Sequence, residues 1–299
     1  MEVLSDILKS MHVKGSVYFC DSLKPPWSRD HIDLDQPSFH LVRRGDCWIM
    51  SDELAERLGP GDLVFIAANR DYTLACSAPD APAYDNQSET LLLCGYCEFD
   101  SLLDHPLLNA LPSLTIVRAE ELVDHPWLKS TLDQLSAEYL SQKPGSEIVI
   151  NKLTEVVIVE LIRIDFGRAD KNSFIGALYD KQISLVLALL HAEPHRPWTL
   201  ETLAAEAALS RSSLARRFKE RVGQPMYEYL TALRMQRASD LLRDTTLSIY
   251  EVASRVGYDS DVAFTKAFKR TMSTTPTRYR KSAHPVVAEL QTSPNTKHT

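Results

Sequence analysis

No stretch of this 299-residue chain approaches the ~18 consecutive apolar residues that a membrane helix needs. Met1–Met11 carries Glu2 and Asp6 and lacks a basic start followed by an apolar core. No secretory signal or membrane partner is therefore expected, and the chain reads as soluble and cytoplasmic. Cysteine is sparse and odd in number (Cys20, Cys47, Cys76, Cys94 and Cys97), which argues against a structural disulfide framework. Positive charge is short as well. A formal net charge of −7 argues against a protein that coats nucleic acid nonspecifically.

The charge is unevenly spread. Residues 195–281 hold 16 Lys/Arg against 9 Asp/Glu, a net +7, which leaves −14 for the remainder. A basic module joined to an acidic partner is the distribution expected of a DNA reader with a separate sensing half. At this length two domains are the default.

Within the basic part a helix-turn-helix pattern occurs twice, over Thr199 to Leu230 and over Ser248 to Arg280. Phe218 and Phe268 stand 50 residues apart, as do Tyr229 and Tyr279, and such register marks an internal repeat. In the first unit Thr199 predicts an N-cap, Glu201 an acid near the helix start, and Ala208-Leu209 the turn. Ser210 would then cap a second helix with Leu214 and Phe218 inward. In the second unit Ser248 and Glu251 predict a capping box, and Val252, Ala253 and Val256 an inner stripe. Gly257 supplies the left-handed residue that ends the helix, before Phe264 and Phe268 anchor the next.

The residues left outward are the candidates for DNA contact. They are Arg211, Ser212, Ala215 and Arg216 on the first recognition helix, with Arg217, Lys219 and Arg221 nearby. On the second they are Asp261, Val262, Thr265 and Lys266, followed by Lys269 and Arg270. Arginine can bond guanine bidentately, Thr and Val can touch thymine methyls, and Lys or Arg at the helix edges can hold phosphates. The alternative, two ordinary solvated faces, does not account for the repeat and its caps.

Residues from about 181 to 281 resemble the DNA-binding domain of AraC/XylS-type bacterial transcription regulators. The resemblance implies seven helices: two helix-turn-helix units bridged by one long helix, here Met226–Asp244. Leu233-Arg234, Ala238 and Leu241-Leu242 fit the family's R-x3-A-x2-LL pattern. Its closing signature reads as Gly257, Tyr258, Ser260, Phe264, Phe268, Lys269, Arg270, Pro276, Tyr279 and Arg280. Ser273 stands where the family usually has Gly, and Met226 where it often has Pro.

The N-terminal half reads as short strands: Gly15–Cys20, Ser38–Val42, Cys47–Met50, Asp62–Ala67, Thr73–Cys76 and Thr90–Phe99. Their spacing predicts an antiparallel sandwich or barrel. Leu58-Gly59-Pro60-Gly61-Asp62 followed by Leu63–Ile66 resembles the turn of cupin barrels. Phe39–Trp48 and Leu92–Gly95 resemble the cupin sensor domain attached to one branch of AraC-type regulators. The expected fold class is thus α+β: a cupin-like antiparallel β-barrel with a helical dimerisation segment, then an all-α double helix-turn-helix domain. Many cupin enzymes hold a metal with an H-x-H pair. Here His31 and His40 are nine apart, no H-x-H occurs, and Tyr72 stands where cupins usually place a distant His. No metal, cofactor or enzymatic activity is expected. Cys94 and Cys97 on one strand would point to opposite faces. The cysteines read as small buried apolar groups, with an oxidant-sensing pair, Cys20 and Cys94, as the sharper alternative.

Pro126–Leu140 and Ser146–Ile164 predict two helices broken by Gln142–Gly145. The second is apolar around most of its circumference, through Ile148, Ile150, Leu153, Val156, Val157, Val159, Leu161 and Ile162. One side can lie on the barrel while another invites a second subunit, so a homodimer is expected, as the resemblance also implies. Residues 1–168 would form the sensor and dimerisation domain, 169–180 a linker, 181–284 the DNA-binding domain, and 285–299 a disordered tail. The expected function is a sequence-specific transcription regulator, an activator, answering to a small-molecule effector or oxidant. Contact with RNA polymerase is implied by the family alone. The competing reading is a metal-dependent cupin enzyme fused to a DNA-binding module.

Overall fold

The computed structural model describes residues 2–11, 13–32, 36–52, 54–78, 89–99, 105–168 and 174–283. The expected tail, 285–299, lies outside the described residues. Two compact units divide the chain: Met11–Tyr179, and Asp180 onward together with the first ten residues. That second membership differs from the expected boundary. Helix α1 (Glu2–Ser10) packs on α6 (Lys181–Ala192), with Val3 and Ile7 buried, because an isolated two-turn helix is stable only when its apolar stripe is covered.

The first unit pairs its strands antiparallel throughout. One sheet runs β1 (Lys14–Leu23), β8 (Thr90–Glu98), β3 (Ser38–Arg44), β6 (Leu63–Ile66) and β9 (Leu114–Val117). The other runs β2 (Ser28–His31), β7 (Tyr72–Ala75), β4 (Cys47–Met50) and β5 (Ala55–Leu58). Six strands fall where the sequence placed them; β2, β5 and β9 were not anticipated. Between the sheets lies a core of Val42, Ile49, Leu58, Val64, Ile66, Leu74 and Leu92 with Cys47, Tyr72 and Cys94. The cupin-like turn is held by one carboxylate. Asp62 Oδ2 accepts from Gly59 N at 2.9 Å and pairs with Arg118 at 3.0 Å, while Oδ1 accepts from Ala119 N at 2.9 Å.

Helices α3 (Pro126–Ser141) and α4 (Ser146–Arg168) cover the outer face of the β1 side. Gly15 permits this, since a Cβ there would lie 2.3 Å from Thr154 Cγ2 of α4. Val157, Ile158, Leu161 and Ile162 are buried, whereas Ile148, Val149 and Val156 are exposed. The apolar circumference of α4 therefore divides between two packed sides and one open one. The expected linker is in part a helix: α5 (Phe174–Tyr179) buries Phe174, Ile175 and Ala177, and residues 169–173 lie outside the described ones.

The second unit holds the seven helices α6 to α12. After α6 come α7 (Leu200–Glu206), α8 (Arg211–Val222), the long α9 (Met226–Asp244), α10 (Ile249–Arg255), α11 (Asp261–Met272) and α12 (Pro276–Ala283). Two left-handed backbone positions of this unit differ in the residue they hold. Ser273 ends α11 at φ 56°, the left-handed region where the equivalent Gly223 ends α8 at φ 86°. Gly257 at φ +83° is required twice over, because a Cβ would also lie 2.3 Å from His195 O. A side chain in the left-handed region costs roughly 1–2 kcal/mol relative to glycine. Ser273→Gly is accordingly expected to stabilise the unit by about 1 kcal/mol. Gly257→Ala should destabilise it by more than that, with both effects read from chemical denaturation of the full chain.

Candidate nucleic-acid interface and barrel interior

Each recognition helix begins at a serine cap. Ser210 Oγ accepts from Ser213 N and Ser260 Oγ from Ala263 N, both at 3.2 Å. The helices before them start on capping boxes, Thr199 with Thr202 and Ser248 with Glu251. Inside, Leu214 and Phe218 of α8 and Phe264 and Phe268 of α11 are fully buried. The same spacing forces the other faces outward. Arg211, Ser212, Arg216 and Lys219 are exposed on α8, with Ala215 partly so. On α11, Asp261, Val262, Lys266, Lys269 and Arg270 are exposed, with Thr265 partly so. These candidates for DNA contact thus lie on outer faces, whereas Arg217 beside them does not. Arg211 and Arg216 meet carboxylates there, Glu201 at 2.8 Å and Glu220 at 3.1 Å, with arginine side chains 68% and 65% accessible. Exposed pairs of this kind are worth about 0–1 kcal/mol, so a phosphate or base edge can replace them at small cost.

Three arginines of the same unit are internal ties. Arg217, expected near the outer face, reaches Asp180 at 2.7 Å and also bonds Gln182, which locks α8 to the start of α6. Arg234 donates to Pro194 O and Arg196 O at 2.7 and 2.8 Å and lies over the Tyr258 ring. Arg280 donates to Leu242 O and Leu247 O. The 3.6-residue period does announce Arg217, one position from the outward Arg216, but its partners at Asp180 and Gln182 are too distant in sequence to read.

The barrel interior holds a polar cluster that sequence spacing did not reveal. His40, opposite Cys94 on β8 and Val64 on β6, is fully buried. Its Nε2 bonds the Tyr72 hydroxyl at 2.7 Å, and Ser38 Oγ bonds the same hydroxyl at 2.8 Å. His31 stacks on Tyr72 with centroids 4.6 Å apart and lies 5.3 Å from His40. Burial pushes the His40 pKa down to about 3, aided by the His31 charge, and lowers that of His31 too. Both rings are therefore neutral at pH 7. Among the described residues no three His, Cys, Asp or Glu side chains converge as metal ligands.

All five cysteines are buried free thiols. Cys94 faces the core between the sheets, while Cys20 stands opposite Leu93, one position along. Side chains alternate across a strand, so the two thiols lie on opposite faces of the sheet. The proposed Cys20–Cys94 pair does not face itself in this fold. Burial also raises both thiol pKa values, which lowers their reactivity.

Residues 2–167 match the family described as Cupin, and residues 203–282 the family described as Helix-turn-helix domain. The transcriptional regulator AlkR of Acinetobacter baylyi is 28% identical, with 95% of this chain and 100% of that protein covered. A putative AraC-like transcription regulator of Streptomyces antibioticus is 32% identical over 96% of this chain and 100% of its own length. Among solved structures, the DNA-binding domain of AdpA in complex with a target DNA is 33% identical, with TM-score 0.33, over 34% of this chain and 96% of that one. The chain belongs to the AraC-type DNA-binding transcription regulators, with an N-terminal cupin domain and a C-terminal helix-turn-helix domain.

Proposed function

We propose that this regulator reads duplex DNA through α8 and α11 and activates transcription in answer to a signal received by its barrel. The observation that carries the reading is the repeated exposure pattern of the two recognition helices: equivalent aromatic anchors buried, equivalent polar and basic positions outward. Arg211, Ser212, Ala215 and Arg216 would face one major groove. Asp261, Val262, Thr265 and Lys266 would face the next, roughly 34 Å away, with Lys269 and Arg270 on phosphates. The signal, a small-molecule effector or an oxidant, would change which half-sites are engaged together. The buried, separated thiols favour the small molecule. Contact with RNA polymerase follows from the activator reading, and the work would be done in the cytoplasm without enzymatic chemistry.

Homodimerisation is part of the reading. On α3 and the 3-10 turn before it, Val123 and Trp127 are 70% and 76% exposed, and on α4 Ile148 is 70% exposed. Large apolar groups exposed on these neighbouring elements mark an interaction surface, and we take a second copy of the chain as its partner.

Two experiments test this. Arg216→Ala should cost about 1–3 kcal/mol on a cognate site and relax base preference. Lys269→Ala should weaken cognate and scrambled duplexes alike and flatten the salt dependence. Equal losses for Arg216→Ala on both duplexes contradict the assignment. For the dimer, sedimentation of the wild-type chain should give twice the monomer mass, and the double variant Trp127→Glu, Ile148→Glu should give the monomer mass. A wild-type chain that stays monomeric at tens of micromolar ends that part.

A further inference from the structure

The two recognition helices open with the same geometry and opposite chemistry. Each runs for 12 residues behind a serine cap, α8 from Arg211 and α11 from Asp261. The 50-residue register that aligns Phe218 with Phe268 also aligns Arg211 with Asp261, Ser212 with Val262, Ala215 with Thr265 and Arg216 with Lys266. Both first residues are exposed. Arg211 has Glu201 within 2.8 Å. Asp261 has no side-chain hydrogen bond or ion pair among the described residues. Its neighbour Val262 is 74% exposed and brings no polar side-chain atom to it. An acid in the first turn does favour a helix through its dipole. Yet α8 forms a helix of the same length with no acid in its first turn, so the fold does not require one here.

We propose that Asp261 determines base specificity in the groove that α11 enters, by accepting a hydrogen bond from the exocyclic amine of a cytosine. The proposal rests on the reading of α8 and α11 as groove-entering helices and adds the identity of one base. The N-terminal residues of a recognition helix are the ones that reach base edges. A carboxylate can only accept, and the major groove offers it donors at cytosine N4 and adenine N6. The adenine amine lies beside the N7 acceptor, which repels the second carboxylate oxygen. Cytosine N4 lies beside a C–H and has no such neighbour. Guanine and thymine present acceptors, and the phosphates add their own repulsion. Asp261 is therefore satisfied by one base and opposed by the others, so it selects by repulsion as much as by attraction. Arg211, at the aligned place, only donates and fits the guanine O6 and N7 edge. The two helices thus ask for opposite base chemistry at one helical position.

Selection of duplexes from a randomised library by the full chain, followed by sequencing, tests the proposal. The wild type is expected to enrich a site with a cytosine that depends on residue 261. Asp261→Asn, which keeps the shape, should change that base to adenine, because an amide bonds the adenine N6 and N7 edge. Asp261→Arg should change it to guanine. In each variant the original cytosine duplex is expected to bind about tenfold more weakly than the duplex carrying the new base. The bases that Arg216→Ala relaxes should stay as in the wild type. If Asp261→Arg fails to fold, the near-isosteric Asp261→Asn carries the test alone. An enriched site whose bases are the same in wild type and folded variant overturns the proposal. So does a variant that only tightens binding to all duplexes alike, which is the mark of general charge repulsion. Either result leaves the DNA-reading function standing, whereas a wild-type chain that enriches no site removes that function and the proposal with it.

Discussion

Everything the C-terminal unit presents to solvent depends on one packing contact made twice. Phe218 meets Tyr229 edge-on at 5.8 Å and 74°, and Phe268 meets Tyr279 at 5.7 Å and 71°. An aromatic pair of this geometry contributes about 0.5–1.5 kcal/mol beyond its area, but its larger effect is directional. With Phe218 and Phe268 fixed inward, the positions two before and one after each ring turn outward by the helical period alone. Arg216 and Lys266 are therefore equivalent by geometry, as are Lys219 and Lys269. The inner contact sets the outer face, and the outer face can vary with the DNA sequence to be read without disturbing it.

Most of this was legible because helix grammar is local. Caps at Ser210 and Ser248, the turn at Ala208 and the left-handed Gly257 each involve residues within a few positions of one another, and all stand as expected. The barrel was legible only as strands. Which strand faces which is settled by pairings such as His40 with Cys94, 54 positions apart, that no local pattern encodes. For the same reason the mutual contacts of His31, His40 and Tyr72 went unseen: the cupin pattern singles out the three positions but not their packing against one another. For Cys20 and Cys94 the missing information was register. Their approximate nearness was readable from neighbouring strands, but a shift of one residue in register puts the side chains on different faces.

The barrel interior carries an imbalance that the helical unit does not. Its walls are aliphatic, yet one end holds two imidazoles, a phenol and a serine hydroxyl sharing too few partners. Burial keeps both rings neutral, and an aliphatic replacement of similar volume would remove the unpaired groups altogether. Stability alone would favour that replacement. The hydrogen bonds that the cluster does make tie β7 to β3, one strand from each sheet, through the Tyr72 hydroxyl.

The arginines of the C-terminal unit show how one residue type serves two purposes. Arg217, Arg234 and Arg280 are held by carboxylate or backbone oxygens in partly buried sites, where breaking a bond strands an acceptor. Arg211 and Arg216 pair with Glu201 and Glu220 in water, where the exchange of one oxygen for another is nearly free. Burial, rather than sequence or net charge, decides which guanidinium builds the fold and which can be offered to a partner. The acidic neighbours have a further consequence. Because Arg211 and Arg216 already have a carboxylate within reach, a phosphate must displace it, which reduces nonspecific attraction at these two positions. Lys269 and Arg270 have no such partner on the outer face of α11 among the described ion pairs, in keeping with the proposed sequence-independent grip on the backbone.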